Sequence, residues 1–152
     1  MFMKKIFFLL FALFFLTVNA QELSLIPQPC SVEVKEGAFI LEKGTVLYCP
    51  ATADAAVKKV AEQFAANMSV VTGIKLKMSD YKSFEKAGKC NKAKIILVVS
   101  DDMDIDEEYT LDVREGSIVI EAAKPAGFFY AFQTLKQLMP RNVMAGVPDN
   151  DV

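Results

Sequence analysis

The chain has 152 residues, 17 of them basic and 19 acidic, and it contains no histidine. Without histidine it can build no Ser-His-Asp, Cys-His or His-based zinc site from its own residues. A mildly acidic chain with no basic cluster also argues against nucleic acid as a partner.

The N-terminus begins with a short basic stretch, Met3-Lys4-Lys5, followed by an unbroken apolar run from Ile6 to Leu16. Val18-Asn19-Ala20 then places small residues where a signal peptidase reads. Residues 1–20 are read as a secretory signal peptide cleaved after Ala20. The apolar run is well short of the ~20 residues needed to span a bilayer, and no Cys follows Ala20 to carry a lipid. The expected location is the periplasm or the outside of a bacterium, with no membrane attachment after cleavage. Losing Lys4 and Lys5 leaves 15 basic against 19 acidic residues, a net charge near −4. The remainder suits one globular domain with a core of fair size.

Leu23 to Pro29 is an extended lead-in punctuated by Pro27 and Pro29. Ser31 to Lys35 alternates, with Val32 and Val34 on one face, as a half-buried strand does. Glu36-Gly37 and Lys43-Gly44 are turn signals, and the segments between and after them, Ala38 to Leu41 and Thr45 to Cys49, read as strands. Together they suggest a β-meander. From residue 52 the period changes. Val57, Val60, Ala61, Phe64, Met68 and Val71 recur at helical spacing, with Thr52 as a start signal, Asp54 in the first turn and Gly73 as a stop. Ile74 to Met78 reads as a strand, residues 80–93 as a polar, Lys-rich connection, and Ile95 to Val99 as a buried strand. Tyr109 to Val113 and Ser117 to Ala122 bracket Glu115-Gly116 as a hairpin. A last helix opens at Lys124-Pro125 and closes by Pro140. The expected class is α+β: an antiparallel or mixed sheet with two helices packed on one face.

Chemistry-bearing candidates are few. Cys30, Cys49 and Cys90 are an odd count; Cys30 and Cys49 can pair, or all three can serve as small hydrophobes. Asp102, Asp104 and Asp106 imitate the start of a calcium loop, but Glu107 stands where Gly is needed and Val113 where a bidentate Glu is needed. A solvated acidic loop is expected, and no metal site. Asp106-Glu107 can be taken for a carboxylate pair, yet nothing nearby suggests a pocket. Asn67-Met68-Ser69 is a formal glycosylation sequon in mid-helix with Met68 on the core face, and is set aside. No phosphate-cradling loop or other cofactor motif occurs, and no catalytic residue is assigned.

The last helix is more informative. At 100° per residue, Phe128, Ala131, Phe132, Leu135, Leu138 and Met139 form the main apolar stripe, and Gln133, Thr134, Lys136 and Gln137 the opposite arc. Phe129 and Tyr130 fall on the polar side. They are either the margin of a wide core face or a second contact with another domain.

"LIPQPCSVEVKEGAFIL" and "YTLDVREGSIVIEAAKPAGFFYAFQTLKQLMP", with the order of elements between them, resemble the family 20 glycoside hydrolases. The likeness is to the small N-terminal domain of exported bacterial β-N-acetylhexosaminidases. Pro27 and Pro29, the Tyr109-Thr110-Leu111 strand, and Ala126-Gly127 with Gln133-Thr134-Leu135 and Gln137-Leu138 carry it; Ala131 stands where Gly is more usual. The resemblance implies a zincin-like α+β domain without a metal site over residues 21–140, and residues 141–152 as a linker towards a catalytic (β/α)₈ barrel absent from this sequence. In the family that barrel holds an adjacent Asp-Glu pair, with the Glu as general acid and the Asp orienting the substrate's own acetamido nucleophile. Those roles do not transfer to Asp106-Glu107, which precedes the hairpin inside the small domain. This chain alone is expected to be inactive, needing no cofactor and meeting glycan only through the barrel. Phe129 and Tyr130 are then candidates for the interdomain contact. The alternative is a stand-alone periplasmic module that binds glycans or a protein.

Overall fold

A computed structural model describes residues 23–82, 84–88 and 92–140. The expected signal segment, Cys90 and the expected linker lie outside the described residues. The chain divides into two units, Met1–Val34 and Lys35–Val152. In the first, the described residues carry neither helix nor strand, and the Ile26–Pro27 peptide is cis.

Among its described residues the second unit holds five strands and three helices: β1 (Val46–Pro50), α1 (Ala55–Thr72), β2 (Lys77–Tyr81), α2 (Phe84–Gly88), β3 (Lys94–Val99), β4 (Tyr109–Arg114), β5 (Ser117–Ala122) and α3 (Pro125–Gln137). The strands lie in the order β2-β1-β3-β5-β4. β1, β2, β3 and β5 are parallel, and β4 is antiparallel to β5 at one edge. The fold is therefore α+β with a mixed sheet.

Helix α1 begins where the side chain of Asp54 accepts the Val57 N–H at 2.7 Å. That bond satisfies one of the orphan donors of the first turn. Asp54 is thus the cap, and Thr52 precedes it. The helix stops at Gly73, whose φ of 68° is a left-handed conformation that glycine adopts without a Cβ clash. Val57, Ala61, Phe64, Ala65 and Met68 point inwards.

These side chains meet one face of the sheet, formed by Leu47 and Cys49 of β1, Ile95 and Leu97 of β3, and Ile118, Ile120 and Ala122 of β5. Phe128, Ala131, Phe132 and Leu135 of α3 complete the layer. The rings of Phe64 and Phe132 stack with centroids 4.0 Å apart and planes 8° from parallel, joining the two long helices. Burying each such ring contributes about 1.5–3 kcal/mol.

The expected meander is not formed. Residues 31–41 make no strand. Within the second unit, Gly37 lies against the Glu115 side chain at the β4–β5 turn, and Gly44 faces Lys92 ahead of β3. The chain between them crosses the end of the sheet, where Phe39 and Leu41 pack against the core. Their alternation reports burial on one side, and that burial is met from the sheet's end without a ladder.

The second correction concerns helix number. Helix α2 sits within the connection read as polar, and it covers the other face. Tyr48 pairs with Ile96 across β1 and β3, so both point away from the Leu47–Ile95 layer. Tyr48 and Ala87 of α2 line one recess, and Ala87 and Ile96 are both buried. Two long helices do share one face, as expected, with a third, short helix opposite.

Candidate functional site

Helix α3 is set by its first turn. Pro125 takes an initial position, where its missing N–H costs nothing, and Lys124 provides no side-chain cap. The Gly127 N–H instead donates to the carbonyl of Asp106 at 3.1 Å. A Cβ at Gly127 would fall inside the contact distance of the Glu108 carbonyl oxygen and 2.8 Å from Ala122 Cβ. Glycine is what allows the acidic loop to lie this close to the helix start.

The acidic loop has thus a backbone function. Asp101, Asp102, Asp104, Asp106, Glu107 and Glu108 all stand exposed. Asp106 and Glu107 are adjacent, exposed acids of this loop. No group of three or more His, Cys, Asp or Glu residues able to hold a metal ion occurs among the described residues.

Along α3 the inward residues are Gly127, Phe128, Ala131, Phe132, Thr134 and Leu135. Thr134 was expected on the polar arc. It is buried, and its hydroxyl lies 2.6 Å from the hydroxyl of Tyr109 on β4, an arrangement in which either atom can donate. Phe129 and Tyr130 do stand outside the core stripe, 46% and 38% exposed. Their rings meet edge to face, with centroids 5.5 Å apart and planes at 76°. Exposed Leu138 follows at the end of the helix. Lys136 is the one charged residue of α3, whereas α1 turns Lys59 and Glu62 outwards.

A recess of about 200 Å³ on the second face, lined by Tyr48, Asp80, Tyr81, Lys82, Lys86 and Ala87, went unread in the sequence. Its residues come from β1, β2, the turn after β2 and α2, which the crossover topology brings together. The Tyr81 hydroxyl donates to the Leu97 carbonyl at 2.5 Å. Burial, and then the neighbouring Cys49, push its pKa up to about 12, so it stays protonated at neutral pH. Cys49 is a buried free thiol, raised first by burial, and Cys30 is an exposed free thiol. A thiol raised in this way is a poor nucleophile.

Residues 22–151 match the family model described as glycosyl hydrolase family 20, domain 2. The chain belongs to glycosyl hydrolase family 20. Its fold is similar to that of Streptomyces plicatus N-acetyl-β-hexosaminidase, with 25% identity and a TM-score of 0.66 over 82% of this chain and 23% of that one. It is also similar to the family 20 β-N-acetylhexosaminidase of Streptomyces coelicolor A3(2), with 26% identity and a TM-score of 0.66 over 81% and 23% of the two chains. The chitobiase of Flavobacterium johnsoniae is 26% identical, with a TM-score of 0.57 over 78% of this chain and 18% of that one. The chain thus spans less than a quarter of the length of these enzymes. No curated protein sequence matches it significantly.

Proposed function

We propose that this chain is the non-catalytic domain of an exported β-N-acetylhexosaminidase, in the zincin-like arrangement that the family resemblance implies. The observation that carries the reading is the match of residues 22–151 to domain 2 of family 20. Hexosaminidases with the same fold over less than a quarter of their length support it. The parent enzyme removes terminal N-acetylhexosamine from glycans. In a larger barrel domain, a Glu protonates the glycosidic oxygen while an Asp orients the substrate's acetamido group as nucleophile. This chain supplies a preformed layer of sheet and helices on which that barrel rests. Export to the periplasm or beyond rests on the basic and apolar pattern of residues 1–20.

Reading the coding DNA past the codon for Val152 tests the proposal. An open frame that continues into a barrel with an adjacent Asp-Glu pair supports it. A stop codon contradicts it and favours a stand-alone binding module, which would use the same exposed aromatic pair on α3.

A further inference from the structure

We infer that Tyr81 is a strap across the carboxyl end of β1: its hydroxyl replaces the ladder donor that Pro50 lacks and so ties the edge strand β2 to β3. The inference stands independently of the proposed function.

The ladder geometry carries it. In a parallel pair, alternate residues turn their N–H and C=O towards the same neighbour. The Val46 N–H donates to the Ala93 carbonyl at the start of β3, at 3.2 Å, and the Ala51 N–H, just past β1, donates to the Tyr81 carbonyl of β2, at 2.9 Å. Val46, Tyr48 and Pro50 therefore face β3, while Leu47, Cys49 and Ala51 face β2. The register sets Val46 beside Lys94 and Tyr48 beside Ile96. Continued by two residues, it puts Pro50 beside Val98, where a backbone N–H would donate to the Leu97 carbonyl. Proline has no N–H. The pairing of β1 with β3 accordingly ends at Tyr48, whereas its pairing with β2 runs on to Pro50 and Tyr81.

The carbonyl left over belongs to Leu97, a fully buried residue. A buried carbonyl with no partner costs about as much as a lost hydrogen bond. The Tyr81 hydroxyl supplies that partner, donating at 2.5 Å. Because β1 lies between β2 and β3, the side chain spans the middle strand to reach it. Strand β2 stands at the edge of the sheet with β1 as its ladder neighbour. The strap gives it a second attachment, so β2 peels away only when ladder and strap are both released.

A double-mutant cycle in the 152-residue chain tests the strap. Tyr81→Phe removes the hydroxyl, and Pro50→Ala restores a backbone N–H beside Leu97. With Pro50 in place, Tyr81→Phe is expected to lower the urea midpoint by roughly 0.5–1 M. In the Pro50→Ala background the same change should lower it by less than half as much, because the new N–H takes the carbonyl. Any effect of Pro50→Ala on the unfolded chain cancels in the comparison. Amide hydrogen exchange gives a second reading: the new N–H should be protected in the double variant. An equal midpoint loss in both backgrounds, or a new N–H that exchanges as fast as in an unfolded chain, would overturn the inference. If Pro50→Ala does not fold, Pro50→Val, with a side chain suited to strands, takes its place. Failure of both to fold would also overturn it, since a position in ladder register accepts a backbone donor.

Discussion

The hydroxyls of Tyr109 and Thr134 lie 2.6 Å apart and tie the edge strand β4 to the last helix. Thr134 is buried, so its oxygen has this partner in place of water. Replacing Thr134 with Val keeps the shape and removes the bond. A loss of about 1 kcal/mol is expected, read as a lower midpoint in urea unfolding. Tyr109→Phe should cost a similar amount, and the double variant less than the sum of the two.

Gly127 is required for spacing. An added methyl group would press on the Glu108 carbonyl and on Ala122, and backbone does not yield as a flexible side chain does. Gly127→Ala is expected to destabilise by about 3 kcal/mol, although alanine favours helices. A Gly127→Ala variant as stable as the parent chain would show that the loop is free to move away.

The cap of α1 gives a milder case. Asp54→Ala removes the acceptor for the Val57 N–H and should cost about 1 kcal/mol. Asp54→Ser or Asp54→Asn should recover most of it. Thermal unfolding followed by circular dichroism distinguishes the three.

The long helices and the hairpin were legible because their signals are local. Val57 to Met68 repeat at helical spacing, and Gly73 ends the helix where expected. Ser117 to Ala122 is found with the bounds read from its β-branched residues. What was missed depends on distant partners. The pairing of β1 with both β2 and β3 is parallel and needs crossovers that no short window shows. Val32 and Val34 alternate as a strand does, yet stand exposed and unladdered. Five-residue α2 is too short for a period to emerge. Thr134 looks like a surface residue until Tyr109 is brought over it. At 100° per residue Phe129 and Tyr130 fall off the core stripe, and they are exposed.

Tyr81 makes stability depend on pH in the alkaline range. Its folded pKa of about 12 lies above the ordinary value of 10.0, chiefly through burial. The folded state therefore holds the proton after the unfolded state has released it. The stability associated with Tyr81 is fully present below pH 10 and is lost as pH rises from 10 towards 12. Urea midpoints measured across that range should fall more steeply for the parent chain than for Tyr81→Phe, which starts lower because the bond to Leu97 is gone.

Hydrolysis of p-nitrophenyl N-acetyl-β-D-glucosaminide by two proteins side by side, the 152-residue chain and the polypeptide from the whole coding frame, tests the central claim most directly. The expected result is release of nitrophenol by the whole-frame polypeptide and none by the 152-residue chain. Turnover by the short chain alone, or none by either protein, would contradict a non-catalytic domain serving a hexosaminidase.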